Sequence, residues 1–243
     1  MEEAEGEHPD FIEARLSFDD SAYRGFRRPN QWTSTGTNTA SGGEQAPEAV
    51  RIHNARLLQP PPTLESHGFQ LIEAATDVPD LYDQAAVEGR FYPQCREFIA
   101  RATGCAHVEI TQHQYRNGFG NLPDGHPRGT RGTPNGSGGT YGQGIHADMS
   151  AYREEEFERH VPPGHHFQAI NIWRSTDLDR DIEMMPLALC DFTTVWREDI
   201  ISNDGVRTIE PYRKLVAHGV AHHPSQLWCT SPPAEVTTCW FRL

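Results

Sequence analysis

The 243-residue sequence lacks the marks of several protein classes. No stretch approaches the roughly 18 consecutive apolar residues that a spanning helix requires, and hydrophobic residues make up only 36% of the chain. No membrane partner is expected. Basic residues are scarce, 21 Lys and Arg against 34 Asp and Glu, so the formal charge of -13 would repel a phosphate-rich partner. Nucleic acid is therefore not expected either. The five cysteines, at 95, 105, 190, 229 and 239, are odd in number and form no CxxC, which argues against a disulfide framework or a thiolate zinc site. They read as reduced and mostly buried. The N-terminus, MEEAEGEHPD, is acidic where a secretory signal needs a basic patch and an apolar run, so the expected location is cytoplasmic.

Helix breakers, by contrast, are plentiful. Twenty-one glycines and 18 prolines exclude a helical bundle or coiled coil. Residues 1–48 form an acidic and polar N-terminal segment expected to be partly disordered, although FIEARLSF at 11–18 within it alternates as a half-buried strand does. Residues 49–243 read as one domain. RIHNARLL at 51–58, HGFQLIEA at 67–74, HVEITQHQYR, FQAINIWR at 167–174, PLALCDFTTV at 186–195 and VTTCWF at 236–241 carry strand-like patterns. YPQCREFIARAT at 92–103 spaces Cys95, Phe98, Ile99 and Ala102 as one helical face, with Gly104 as its stop. Many short strands, few helices and abundant turns point to a mainly β fold such as a jelly roll with a helical buttress. Residues 118–144 hold ten glycines and almost nothing apolar, a candidate lid or a disordered loop.

The chemistry-bearing pattern is His146-x-Asp148. Alternate residues of a strand share a face, so this imidazole and carboxylate can point into one cavity. They supply half of the two-His, one-carboxylate face that binds non-haem Fe(II) and leaves positions open for cosubstrate and O₂. The competing reading is a surface histidine beside an acid, and HxD arises by chance in a chain with 13 His. A third ligand must come from later in the chain, where His218, His222 and His223 stand as candidates. His222 and His223 are neighbours, so on a strand only one of them could ligate. Arg174, ending FQAINIWR, could grip a carboxylate with two parallel hydrogen bonds, or pair with Asp177, Asp179 or Asp181. Glu154, Glu155, Glu156 and Glu158 read as a solvated face, His165 and His166 as loop residues, and Trp173 as core or pocket lining.

RIHNAR at 51–56, LESHGFQL at 64–71, YPQCREFIARATGC at 92–105, GIHADMS at 144–150, NIWR at 171–174 and PLALCD at 186–191 occur in a familiar order. In these segments the chain resembles the AsaB/CmcJ-like hydroxylase/desaturase family of fungal and bacterial secondary metabolism, from about Arg51 to Trp228. The resemblance implies a double-stranded β-helix, Fe(II) and 2-oxoglutarate as cofactors, and hydroxylation or desaturation of a small-molecule substrate. It makes His146 and Asp148 the iron ligands.

After PSQLW at 224–228 the family continues to a second ligand His and an Arg for 2-oxoglutarate, whereas here CTSPPAEVTTCWFRL follows without a histidine. The C-terminal part is therefore expected to be incomplete. His223 is then the candidate third metal ligand and Arg174 the candidate cosubstrate residue. The alternative is a metal-free β-sandwich that binds a small molecule or a protein partner.

Overall fold

A computed structural model describes residues 9–24, 27–29, 46–111, 113, 145–147, 161–176, 182, 186–206, 214–230 and 237–242. Among the described residues the architecture is strands in three sheets, with one helix of more than a turn or two. None of the described helices is long and apolar enough to cross a membrane.

The first sheet runs β1 (Phe11–Phe18), β3 (Ala46–Asn54), β10 (Trp228–Thr230), β7 (Leu189–Cys190). The alternation in FIEARLSF places Phe18 on the same side as Ile52 and Trp228, and the three form a core cluster that Ile145 also joins. Phe18 is 1% exposed, and full burial of such a side chain contributes about 1.5–3 kcal/mol. The expected strand at 51–58 begins earlier, at Ala46, and stops at Asn54, whose side chain accepts from the Arg56 N–H and starts a 3-10 turn. The domain boundary drawn at residue 48 thus falls inside β3.

The second sheet runs β4 (Phe69–Glu73), β11 (Thr237–Arg242), β6 (Ile170–Trp173). Phe69 of β4 packs with Ala55 and Cys229 on one side. On the other, Ile72, Ile170 and Ile172 meet Leu64, Phe98 and Ile99. Those last two belong to α2 (Tyr92–Thr103), which follows a short turn, α1 (Gln84–Ala86), and a π turn over Val87–Phe91. Cys95 and Ile99 form the buried stripe of α2. Gly104, at φ 69°, ends the helix by donating to Ala100 O at 2.8 Å, the left-handed cap that glycine adopts without strain.

The third sheet runs β2 (Arg27–Pro29), β8 (Ile200–Val206), β9 (Lys214–Val220), β5 (His146–Ala147). It is joined to the first through the Asp19–Ala221 bridge and the Ile145 N–H to Ser17 O bond of 3.2 Å.

Two strand expectations need correction, and one hairpin was not foreseen. Residues 107–111 of HVEITQHQYR carry the alternation yet form no ladder among the described residues. Of PLALCDFTTV only Leu189–Cys190 is strand, because Asp191 caps a 3-10 turn through the Thr193 N–H. The β8–β9 hairpin was not legible, since ISNDGV and KLVAHGV mix polar and apolar residues without clean alternation.

Candidate metal centre

The third sheet positions the histidine of the HxD motif. In an antiparallel sheet, residues directly opposite share a face. His146 lies opposite Gly219, and Gly219 lies opposite Ile201, so the three form one cross-strand row. Along that row burial falls from Ile201, 0% exposed, through buried Gly219, to exposed His146. The row therefore runs from interior to exposed rim, and the position directly beside the imidazole carries no side chain. Ile145, one residue earlier, turns to the opposite face and packs with Phe18, Ile52 and Trp228.

The β5–β9 pairing brings the HxD strand alongside the segment that carries the other histidines. His218 occupies the register position opposite Ala147. Beyond β9, the turn holding His222 and His223 is fastened at successive backbone groups. The Ala221 N–H donates to Asp199 O at 2.8 Å, Gln226 Nε2 donates to Ala221 O at 2.9 Å, and Arg24 Nη2 donates to His222 O at 2.7 Å. Arg24 Nε also stands 2.9 Å from the carboxylate of Asp199, close in distance though not aligned as a hydrogen bond. Asp199 is 1% exposed, so its carboxylate is buried beside that guanidinium.

The two adjacent histidines diverge. His222 meets the Phe18 ring edge-on at 4.9 Å, whereas His223 stacks on Trp196 at 4.9 Å and 28°. His223 Nδ1 lies 2.6 Å from Ser225 Oγ and also accepts from the Ser225 N–H at 3.2 Å. With Nδ1 accepting from the Ser225 N–H, the neutral ring carries its proton on Nε2, so ligation through Nε2 would need the other tautomer, in which Nδ1–H donates to Ser225 Oγ.

Arg174 belongs to a different layer. It follows β6, donates to Ala74 O at 3.4 Å and lies over the Phe91 ring at 5.4 Å, against the beginning of α2. Burial pushes its pKa down, and its Nε and Nη2 are buried with no hydrogen-bond partner among the described residues. Its neighbour Cys95 cannot serve as a counter-ion, because burial raises that thiol to about 12. Cys190 and Cys229 are likewise raised to about 12 by burial, so both stand as thiols near neutral pH.

Asp148, residues 118–144, Glu154–156, Glu158 and the acids at 177, 179 and 181 lie outside the described residues. His165 and His166 are exposed in a loop, as read from the sequence, and Trp173 is half-buried opposite Cys239. Among the described residues no three His, Cys, Asp or Glu side chains are grouped as a metal would need. A half-open cleft of about 520 Å³ lies elsewhere, between β4 and α2, and His146 does not line it. Gly219 could have been noticed in KLVAHGV, since a glycine inside a strand marks close approach of another group. Arg24 and Asp199 carried no sequence signal.

Comparison with known proteins adds a lineage to this geometry. The family model described as oxidoreductase/YMDC permease-like domain matches residues 17–239. A curated relative, hydroxylase/desaturase CTB9 of Cercospora beticola, is 29% identical over 199 residues, covering 77% of this chain and 58% of the relative. The chain thus spans 58% of the length of the curated relative it matches, and the resemblance to hydroxylase/desaturases is borne out by that relative's description. Solved structures of the iron and alpha-ketoglutarate-dependent endoperoxidase NvfI share the fold at a TM-score of 0.76 and 20% identity, covering 97% of this chain and 84% of theirs. A single-substitution variant of that enzyme aligns at 0.77 with the same coverage.

Proposed function

The chain belongs to the oxidoreductase/YMDC permease-like family, and from that premise we propose that it oxidises a small metabolite, by hydroxylation or desaturation, with Fe(II) and 2-oxoglutarate in a jelly-roll lumen. The observation that carries this reading is the row Ile201, Gly219, His146, which presents the motif's imidazole at the rim of a face whose interior is closed. A metal site needs an imidazole that reaches solvent, as the exposed His146 does, and the donor types fit. Neutral imidazole and carboxylate both suit Fe(II), while burial holds Cys95, Cys190 and Cys229 as thiols.

His146 and Asp148 would hold the ion, with His223 as the third donor through Nε2 in the tautomer whose Nδ1–H donates to Ser225 Oγ, which gives up the bond from the Ser225 N–H. Bound iron would supply oxidising power by coupling O₂ reduction to decarboxylation of the cosubstrate. The residues of the chain supply geometry. Arg24 and Asp199 hold the 221–223 turn, and Ile201 keeps the inner end of the row free of water. Arg174 is proposed as the cosubstrate's carboxylate partner, a role that answers its unpartnered buried nitrogens. Reaching it would require entry from the α2 side of its sheet.

Titration of the full chain with Fe(II) under nitrogen tests the proposal. Binding should weaken by an order of magnitude or more in His146→Ala and in Asp148→Ala, because each removes one of few donors. Equal affinity in wild type and both variants would favour the metal-free binding module instead.

A further inference from the structure

The cleft between β4 and α2, about 520 Å³, has the size of a small-molecule site. Gln70, Leu71, Ile72 and Glu73 all line it, although Leu71 and Ile72 enter different core clusters on opposite faces of their sheet. A cavity touching both faces of one strand runs along its edge, and the ladder partner of β4 among the described residues is β11 alone.

The cleft also carries charged residues, Arg56, Glu73 and Arg101, beside an apolar stretch of Ile72 and Phe98. Ala55 packs on Phe69, which sets the adjoining Arg56 at the Gln70 end. Arg174 touches both Ala74 and Phe91, so α2 starts beside the far end of β4, and its last turn, bearing Arg101, returns toward Arg56. Two guanidinium-bearing residues, Arg56 and Arg101, thus line the cleft, and Arg101 also stands 3.7 Å from the Glu97 carboxylate. Glu73 stands three residues along the strand from Gln70, about 10 Å away. Between them lie Ile72 and Phe98, and the Arg101 guanidinium sits over the Phe98 ring at 5.3 Å.

We infer that this cleft binds an elongated small-molecule carboxylate whose far end carries a hydrogen-bond donor, the acid resting on Arg56 and Arg101 and the donor on Glu73. Guanidinium pairs with carboxylate through parallel charge-assisted bonds, and the apolar middle covers the connecting carbons. Glu73 repels a second carboxylate, so the cleft rejects diacids. That selectivity separates it from any site for 2-oxoglutarate, and it stands whether or not iron binds at His146.

Calorimetric titration of the full chain with three acids of equal length tests this: ω-aminocaprylate, caprylate and the diacid suberate. The order of affinity should be aminocaprylate, then caprylate, then suberate. Arg101→Glu should weaken aminocaprylate about tenfold or more, as loss of a charge-assisted contact does. Glu73→Gln should narrow the gap between aminocaprylate and suberate. His146→Ala should leave all three affinities unchanged. Arg101 and Glu73 are exposed, so circular dichroism of both variants should match wild type. Absence of saturable binding by aminocaprylate, indifference to Arg101→Glu, or wild-type affinities that do not separate the acids would overturn the assignment.

Discussion

His146 stands directly opposite Gly219, a residue with no side chain, and on the far side of Gly219 stands the wholly buried Ile201. The position next to the imidazole in this row therefore carries no side chain of its own. A side chain added at Gly219 would stand directly beside His146, so the size of the glycine's replacement matters more than its polarity.

Gly219→Val should consequently suppress metal binding while leaving the fold intact, because a β-branched residue suits a strand at least as well as glycine. Co(II) titration followed by thermal melting checks both halves. A variant that binds Co(II) as wild type does would show that the space beside His146 is not the site.

Arg24 and Asp199 offer a stability test. Arg24→Ala strands a carboxylate that is 1% exposed, and breaking a fully buried pair costs about 3–5 kcal/mol. Because the Arg24 side chain is 35% exposed, the expected loss is smaller, about 2 kcal/mol. Urea denaturation should show this, and Arg24→Ala with Asp199→Asn should recover part of it.

The cysteines predict a reactivity pattern and a pH dependence. Burial raises Cys95, Cys190 and Cys229 from the ordinary thiol range to about 12, while Cys105 is exposed. Iodoacetamide at neutral pH should label Cys105 and spare the other three until denaturant is added. In the unfolded chain these thiols ionise above about 9, whereas in the folded chain they stay protonated toward 12. The unfolded state then binds fewer protons, so their contribution is full below pH 9 and falls as pH rises from 9 to 12. Urea midpoints measured across that window should decline.

Gly68 adopts φ +80°, and a Cβ there would stand 2.8 Å from Phe192 Cδ1. Gly68→Ala should destabilise by about 1–3 kcal/mol, from backbone strain and the displaced ring together. A thermal melt unchanged from wild type would contradict the contact.

Legibility followed physical locality. β1 and α2 could be read to the residue, since period-two alternation in FIEARLSF and the Cys95 to Ala102 stripe report each element's own environment. The row through Ile201, Gly219 and His146 could not, because register between β8, β9 and β5 is set by pairing across dozens of residues. Arg24 reaches His222 across 198 positions, a contact no local pattern encodes. His222 and His223 looked alike in sequence and separated only once Phe18 and Trp196 were placed beside them.

The account depends most on His146 as a metal-binding group in an oxygenase. Succinate formed from 2-oxoglutarate in the presence of Fe(II) and ascorbate measures that directly, with wild type compared against His146→Ala. Turnover in wild type that falls to the protein-free background in the variant is the predicted result. Equal succinate from both proteins would contradict it.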